Sequence, residues 1–182
     1  LDKIYLAFHK PFLVVSQFAP LEDKVTLSEY LHFPEKPKAV GRLDHDSEGL
    51  LLLSNDEDFI RKYTNPNSNK EKEYWVQVEN IPNKTDLIKL EKGLKTTSES
   101  YLPCKAELIE EPSRLWSRTP PIRFRKNIPT AWVKLIIREG KNRQVRKMTA
   151  FIGFPTLRLI RYRIDKWTLD DLSPGEWKII FS

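Results

Sequence analysis

The chain has 182 residues, 40% of them apolar and 31% charged, with a net charge of +6. That length carries one domain, or two packed lobes, and the composition excludes a disordered chain. No apolar run nears the ~20 residues of a membrane span, the start Leu1-Asp2-Lys3-Ile4 does not read as a secretory leader, and one cysteine, Cys104, excludes an internal disulfide and fits a reducing cytoplasm.

In chain order, Ile4 to Phe8 reads as a strand broken by Lys10-Pro11, and Phe12 to Ser16 resumes β character. Thr26 with Glu29 three residues on has the form of a capping box opening a short helix through Tyr30 and Leu31. Residues 33–38 form a Pro-rich loop, and Leu50 to Leu53 read as a buried strand. Asp56 caps a helix carrying Phe59, Ile60 and Tyr63 that stops before Pro66. Tyr74 to Val78 is a strand. Thr85 begins an amphipathic helix with Leu87, Leu90 and Leu94 on one side. Residues 111–129, rich in Pro and Arg, make an ordered loop before the β-rich run Ala131 to Ile137. A helix from about Asn142 ends at Gly153 and Pro155. Ile160, Tyr162 and Ile164 alternate with Arg161 and Arg163 as in a half-buried strand, and Glu176 to Phe181 is a last strand. Strands outnumber helices, so the fold class is α+β on a mostly antiparallel sheet.

Charge is unevenly spread. Residues 114–166 hold 15 Lys/Arg against 2 Asp/Glu, while the rest of the chain holds 16 against 23. Such a basic stretch attracts a polyanion. Trp116, Phe124, Trp132, Tyr162 and Trp167 are interleaved with it, and aromatics beside arginines offer stacking surfaces for unpaired bases, although some of them belong to the core.

The densest chemistry lies in Gly41-Arg42-Leu43-Asp44-His45-Asp46-Ser47-Glu48-Gly49, followed by four leucines and Ser54-Asn55-Asp56. Alternating acids before a glycine look like the opening of a calcium loop. The pattern then fails, because the twelfth position is Asn55 and Leu50 to Leu53 stand where polar ligands belong. The sequence has no dinucleotide fingerprint, no P-loop and no Cys/His cluster. His9, His32 and His45 lack ligand or triad spacing.

Gly-Arg-Leu-Asp followed by Ser-x-Gly and Leu-Leu-Leu-Leu-Ser-Asn-Asp resembles the catalytic motif of the RsuA family of pseudouridine synthases. Lys72-Glu73-Tyr74-Trp75-Val76 is similar to that family's Lys-x-Tyr-x-Val strand, and Glu139-Gly140 through Gln144-Val145-Arg146-Lys147-Met148 to its Glu-Gly-x-x-x-Gln-Val helix. Lys10-Pro11 matches its opening motif, with Phe12 where glycine is frequent. The stretches 153–162 and 120–123 resemble the large-subunit branch called RluE, which lacks the S4 RNA-binding domain of its relatives. The resemblance implies a pseudouridine synthase fold, a mixed sheet flanked by short helices with a cleft across it, over residues 1–182 as a single catalytic domain without an S4 domain. It implies a bacterial cytoplasmic isomerase of 23S ribosomal RNA, a monomer with no cofactor and no metal.

The same resemblance assigns roles. Asp44 would act on the ribose, as a nucleophile at C1′ or in elimination to a glycal. Arg146 would pair with it, and Tyr74 would stack on uracil and help move the C5 proton. Arg42 would fill the gap left by the flipped uridine. Lys72 would touch a phosphate, and Arg123, Arg125, Lys126, Arg143, Lys147, Arg158, Arg161 and Arg163 would track the RNA backbone. Two other classes compete: an idle RNA-binding module, which would not need Asp44, Tyr74 and Arg146 together, and a metal-dependent nuclease using Asp44, Asp46 and Glu48.

Overall fold

The computed structural model describes residues 2–181. Its strands are β1 (Tyr5–Lys10), β2 (Val14–Val15), β3 (Val25–Thr26), β4 (Lys38–Val40), β5 (Glu48–Ser54), β6 (Lys72–Glu79), β7 (Leu94–Lys95), β8 (Ser100–Tyr101), β9 (Lys105–Ile109), β10 (Thr130–Ile137), β11 (Thr156–Ile164), β12 (Trp167–Thr168) and β13 (Trp177–Ile179). The helices are α1 (Glu57–Thr64), α2 (Lys84–Glu91) and α3 (Gln144–Phe151). This is an α+β fold. It divides into two units, one of Leu1–Lys70 with Arg161–Ser182, the other Glu71–Ile160.

In the first unit β1 lies antiparallel between β13 and β5, and β4 pairs antiparallel with β5. All seven residues of β5 and five of six in β1 are buried, so both faces of these strands are covered. The four consecutive leucines follow from that: a strand covered on both sides has no solvent face on which to alternate. Leu6, Phe8, Leu51 and Leu53 pack one side with Val14, Leu27 and Leu31.

The end of the leucine motif stitches the chain start in place. Ser54 Oγ donates to Ile4 O at 2.6 Å, Asn55 Oδ1 accepts Ile4 N at 2.7 Å, and Asp56 caps α1 through Asp58 N at 3.1 Å. Asp56 also accepts Tyr5 Oη at 2.7 Å and Lys3 Nζ at 3.0 Å. Those donors, the tyrosine hydroxyl first, hold its carboxyl down at about 2.

In the second unit β10 lies antiparallel between β6 and β9. Val76, Val78, Leu135, Met148 and Leu90 close its core. Leu94 does not continue α2 as the spacing implied. The helix ends at Glu91, and Leu94 opens β7 after Gly93 (φ 81°), whose added Cβ would lie 2.7 Å from Tyr101 O. The helix begins at Lys84, one residue before the expected Thr85, behind a capping box formed by Asn83 and Asp86. The expected box at Thr26 and Glu29 does not form. Thr26 is buried in β3, paired with Val15, and only a 3-10 turn over Leu27–Glu29 follows. Helix α3 starts at Gln144, two residues later than expected, because Arg143 takes a left-handed conformation (φ 52°).

Candidate active site

Asp44 is half-buried in the connection between β4 and β5, in a turn closed by Ser47 N to Asp44 O at 3.1 Å. The backbone around it is fixed from several sides within the first unit. Buried Ser16 donates to Leu43 O at 2.7 Å and accepts Leu43 N at 3.2 Å, gripping the residue before Asp44. His45 O, just after it, accepts Leu13 N at 2.9 Å. Arg161 reaches both ends of the segment: Nε donates to Leu50 O and Nη2 to Gly41 O, each at 2.8 Å. Gly49 (φ 113°) lies against the Arg161 backbone so closely that an added Cβ would sit 2.3 Å from Arg161 O. A carboxylate in so constrained a turn would need little reorganisation to meet a reactant. Arg42, two residues before Asp44, is exposed.

Lys10 is a part of this site whose importance the sequence did not show beyond its place in the Lys-Pro motif. It is 0% exposed, and its Nζ donates to Pro11 O at 2.9 Å and Val14 O at 2.7 Å. Burial pulls its pKa down to about 7; Glu48 opposes the shift, Arg161 adds to it, and Asp46 and Asp44 oppose it more weakly. A signal existed, since a Lys ending an apolar strand before Pro is a candidate for burial.

Two residues of the second unit's motifs explain each other. Buried Gln144 donates from Nε2 to Glu139 Oε1 at 2.7 Å and accepts Lys141 N at 3.1 Å. Glu139 Oε1 also accepts Leu102 N at 2.7 Å. The Glu and Gln of the helix motif therefore pin the loop that launches α3, and α3 carries Arg146, half-buried, in its first turn. That turn contains no acidic residue and has Arg146 and Lys147 where the helix dipole favours anions. Tyr74, 8% exposed, is on β6 opposite Leu135 and packs in the cluster with Val145 and Met148. Lys72 begins β6, and its Nζ lies 3.9 Å from where a Gly140 Cβ would stand.

The candidate RNA-facing cations divide. Arg123, Arg125, Lys126, Arg143 and Lys147 are exposed, Arg163 is half-buried with Nη1 on Asp165 O at 2.8 Å. Arg125 pairs with Glu79 at 3.1 Å and Lys147 with Glu99 at 2.9 Å. Arg158 and Arg161, expected on the RNA surface, are 5% and 3% exposed. Arg158 Nη2 donates to Trp116 O at 3.0 Å, its guanidinium 5.4 Å from that indole. The alternation around Arg161 fails because Leu159, Ile160 and Arg161 are all buried, so these guanidinia satisfy backbone carbonyls instead of phosphates. Trp132 is likewise core, at 4% exposure, whereas Phe124 is 87% exposed. Cys104 is partly buried against Leu90 O, and burial pushes its thiol up to about 12. Among the described residues no three His, Cys, Asp or Glu side chains are grouped to hold a metal ion, and no helix is long and apolar enough to cross a membrane.

Comparison with known proteins converges on one family. Residues 4–151 match the RNA pseudouridylate synthase family. A Vibrio parahaemolyticus protein named Ribosomal large subunit pseudouridine synthase E is 51% identical over 96% of this chain and 73% of its own length. A Xanthomonas campestris protein of the same name is 44% identical over 94% of this chain and 92% of its own. A crystal structure of a pseudouridylate synthase, 25% identical, superposes with a TM-score of 0.81 over 99% of this chain and 71% of that one. The extent of these matches settles the family: the chain belongs to the RNA pseudouridylate synthases, isomerases that convert uridine in RNA to pseudouridine.

Proposed function

We propose that this chain isomerises a specific uridine of large-subunit (23S) ribosomal RNA, acting in the cytoplasm as a monomeric, single catalytic domain that needs neither metal nor cofactor. The address follows the names of its Vibrio and Xanthomonas relatives. The observation that carries the catalytic assignment is the turn holding Asp44, braced by Ser16, Leu13 and Arg161 beside an exposed Arg42.

The reaction breaks the bond from C1′ to N1 and forms one from C1′ to C5. One proton leaves C5 and one is taken up at N1, so substrate and product are isomers and no redox partner or group donor is required. Asp44 supplies the carboxylate, by attack at C1′ or by assisting elimination to a glycal; both courses need it fixed in place. Arg146 is its guanidinium partner in the chemistry, Tyr74 lies on the uracil face and handles the C5 proton, and Arg42 fills the space of the flipped nucleotide, offsetting an unstacking cost of a few kcal/mol. Lys72, Arg123, Arg125, Lys126, Arg143, Lys147 and Arg163 hold phosphates.

The test is Asp44→Asn on a 23S fragment. Pseudouridine formation should vanish while affinity for the fragment stays within about two-fold, since one half-buried side chain is altered and no phosphate contact is removed. Turnover near the wild-type rate would remove Asp44 from the mechanism. Pseudouridine mapping of ribosomal RNA from cells with and without the protein would identify the uridine.

A further inference from the structure

The second unit contains a cavity of about 550 Å³ beneath the loop 122–130, outside the residues assigned to chemistry. Its floor is apolar, from Ile122, Ile128 and Leu157, and its polar wall is Gln77 and Glu79 of β6. Three features say what it would hold. Phe124 lines it yet remains 87% exposed, an aromatic face that its own chain leaves uncovered. The Glu79 carboxylate is only 18% exposed and is paired with Arg125 at 3.1 Å, so the wall is close to neutral and still offers carboxylate acceptors to a base edge. Arg123 and Lys126, by contrast, are exposed cations on the same loop. The loop is also anchored: Asn80 N donates to Pro129 O at 2.7 Å and Ile128 N to Arg125 O at 3.2 Å, and Gln77 Nε2 bonds Thr130 Oγ1 at 3.3 Å.

We propose that this cavity is a subsite for one unpaired nucleotide of the RNA other than the target uridine, its base stacked on Phe124 and its edge read by Gln77 and Glu79. Arg123 and Lys126 take the flanking phosphates. A carboxylate accepts from an exocyclic amine and repels a carbonyl edge, so the subsite favours adenine or cytosine over uracil. The subsite rests on the reading that the substrate is RNA, and it adds a sequence preference to that reading. A volume of this size lies within the ~300–1,000 Å³ range of small-ligand sites. Anchoring of the loop means that little ordering cost opposes binding.

The test measures binding of fluorescein-labelled eight-nucleotide A, C and U oligomers, and of a twelve-pair RNA duplex, to wild-type, Phe124→Ala and Phe124→Trp proteins at fixed salt. The wild type should prefer the A and C oligomers to U. Phe124→Ala should weaken the A oligomer roughly ten-fold, as loss of one stacking aromatic does, and change the duplex by less than about two-fold. Phe124→Trp should restore binding, and Glu79→Gln should narrow the preference for A and C over U. Because Phe124 is exposed, thermal melting of the alanine variant should match the wild type. Equal loss on oligomers and duplex, or a preference for U, would overturn the subsite. RNA binding indifferent to Phe124 would also overturn it and give the surface to a protein partner. Absence of any RNA binding by the wild type would instead sink the substrate reading, and the subsite with it.

Discussion

Arg161 gives the sharpest test of the distinction between cations that build the site and cations that bind RNA. Arg161→Met keeps the length and apolar stem but removes the donors to Leu50 O and Gly41 O. A hydrogen bond from a charged donor contributes about 1.5–3 kcal/mol, so two put the gross loss at roughly 3–6 kcal/mol. Removing a buried cation recovers part of this, because its desolvation is no longer paid and its field no longer opposes the charged form of Lys10. A net loss of about 2–4 kcal/mol remains, which for a chain of this size lowers Tm by very roughly 4–16 °C. Urea unfolding measures it directly. The second readout is the salt dependence of binding to an RNA fragment. At 3% exposure Arg161 cannot release a counterion, so the slope of log K against log salt should not change. Arg123→Met should do the reverse, flattening the slope by about 0.7–0.9 with stability unaltered. An Arg161→Met protein as stable as wild type but with a flattened slope would refute the clamp and return Arg161 to the RNA surface.

Gly49→Ala should destabilise by at least ~3 kcal/mol, because a side chain at φ 113° would also press within 2.3 Å of a strand carbonyl; a near-normal urea midpoint would contradict that contact. Burial lowers the Lys10 pKa from 10.5 in the unfolded chain to about 7 in the fold, so between those values the unfolded chain binds more protons and stability rises with pH. Relative to Lys10→Met, the wild type should gain up to ~1.4 kcal/mol per pH unit through that window, and a flat difference in urea unfolding at pH 7 and 9 would refute the assignment. Gln144→Leu should cost about 1–3 kcal/mol by stripping a donor from Glu139, and should lower kcat more than it raises KM by loosening the turn of α3 that carries Arg146; an unchanged kcat would separate that loop from catalysis.

Much of this was legible in the sequence wherever local chemistry and tertiary demand agree. The four leucines between turn signals give β5, and Asp56 before Phe59 and Tyr63 gives a capped α1. What escaped detection depends on partners distant in the chain. Strand β9, Lys105–Ile109, has little β propensity of its own and exists by pairing with β10. Thr26 has the residue type of a helix cap, but pairing with Val15 claims its backbone first. The framework role of Arg161 was hidden because alternation with Ile160 and Tyr162 mimics a strand with one wet face. Only coordinates reveal that Gly41 O and Leu50 O take its donors. The catalytic candidates were found by motif, and the structure adds what a motif does not carry: Gln144 and Glu139 are there to hold a loop, and Ser54, Asn55 and Asp56 to hold the chain start.

The basic stretch 114–166 therefore overstates the charge that RNA meets. Arg158 and Arg161 are spent on carbonyls inside the fold. Lys134, Arg138, Lys141 and Lys147 stand in ion pairs with Glu107, Glu71, Glu139 and Glu99. Paired cations at the surface are not lost to RNA, because an exposed pair contributes only ~0–1 kcal/mol and a phosphate can displace the carboxylate. They do enter binding at a discount, since each leaves a glutamate behind. Arg114, Arg123 and Lys126, exposed on the Pro-rich segment, form no such ion pair among the described residues and should dominate the salt dependence. Those three alone would give a single-strand slope near −2, against about −5 if all seven of the proposed phosphate contacts form. A slope several times steeper would mean that the glutamate-paired lysines and arginines switch to phosphate on binding, and the affinity would then depend on the acids they abandon.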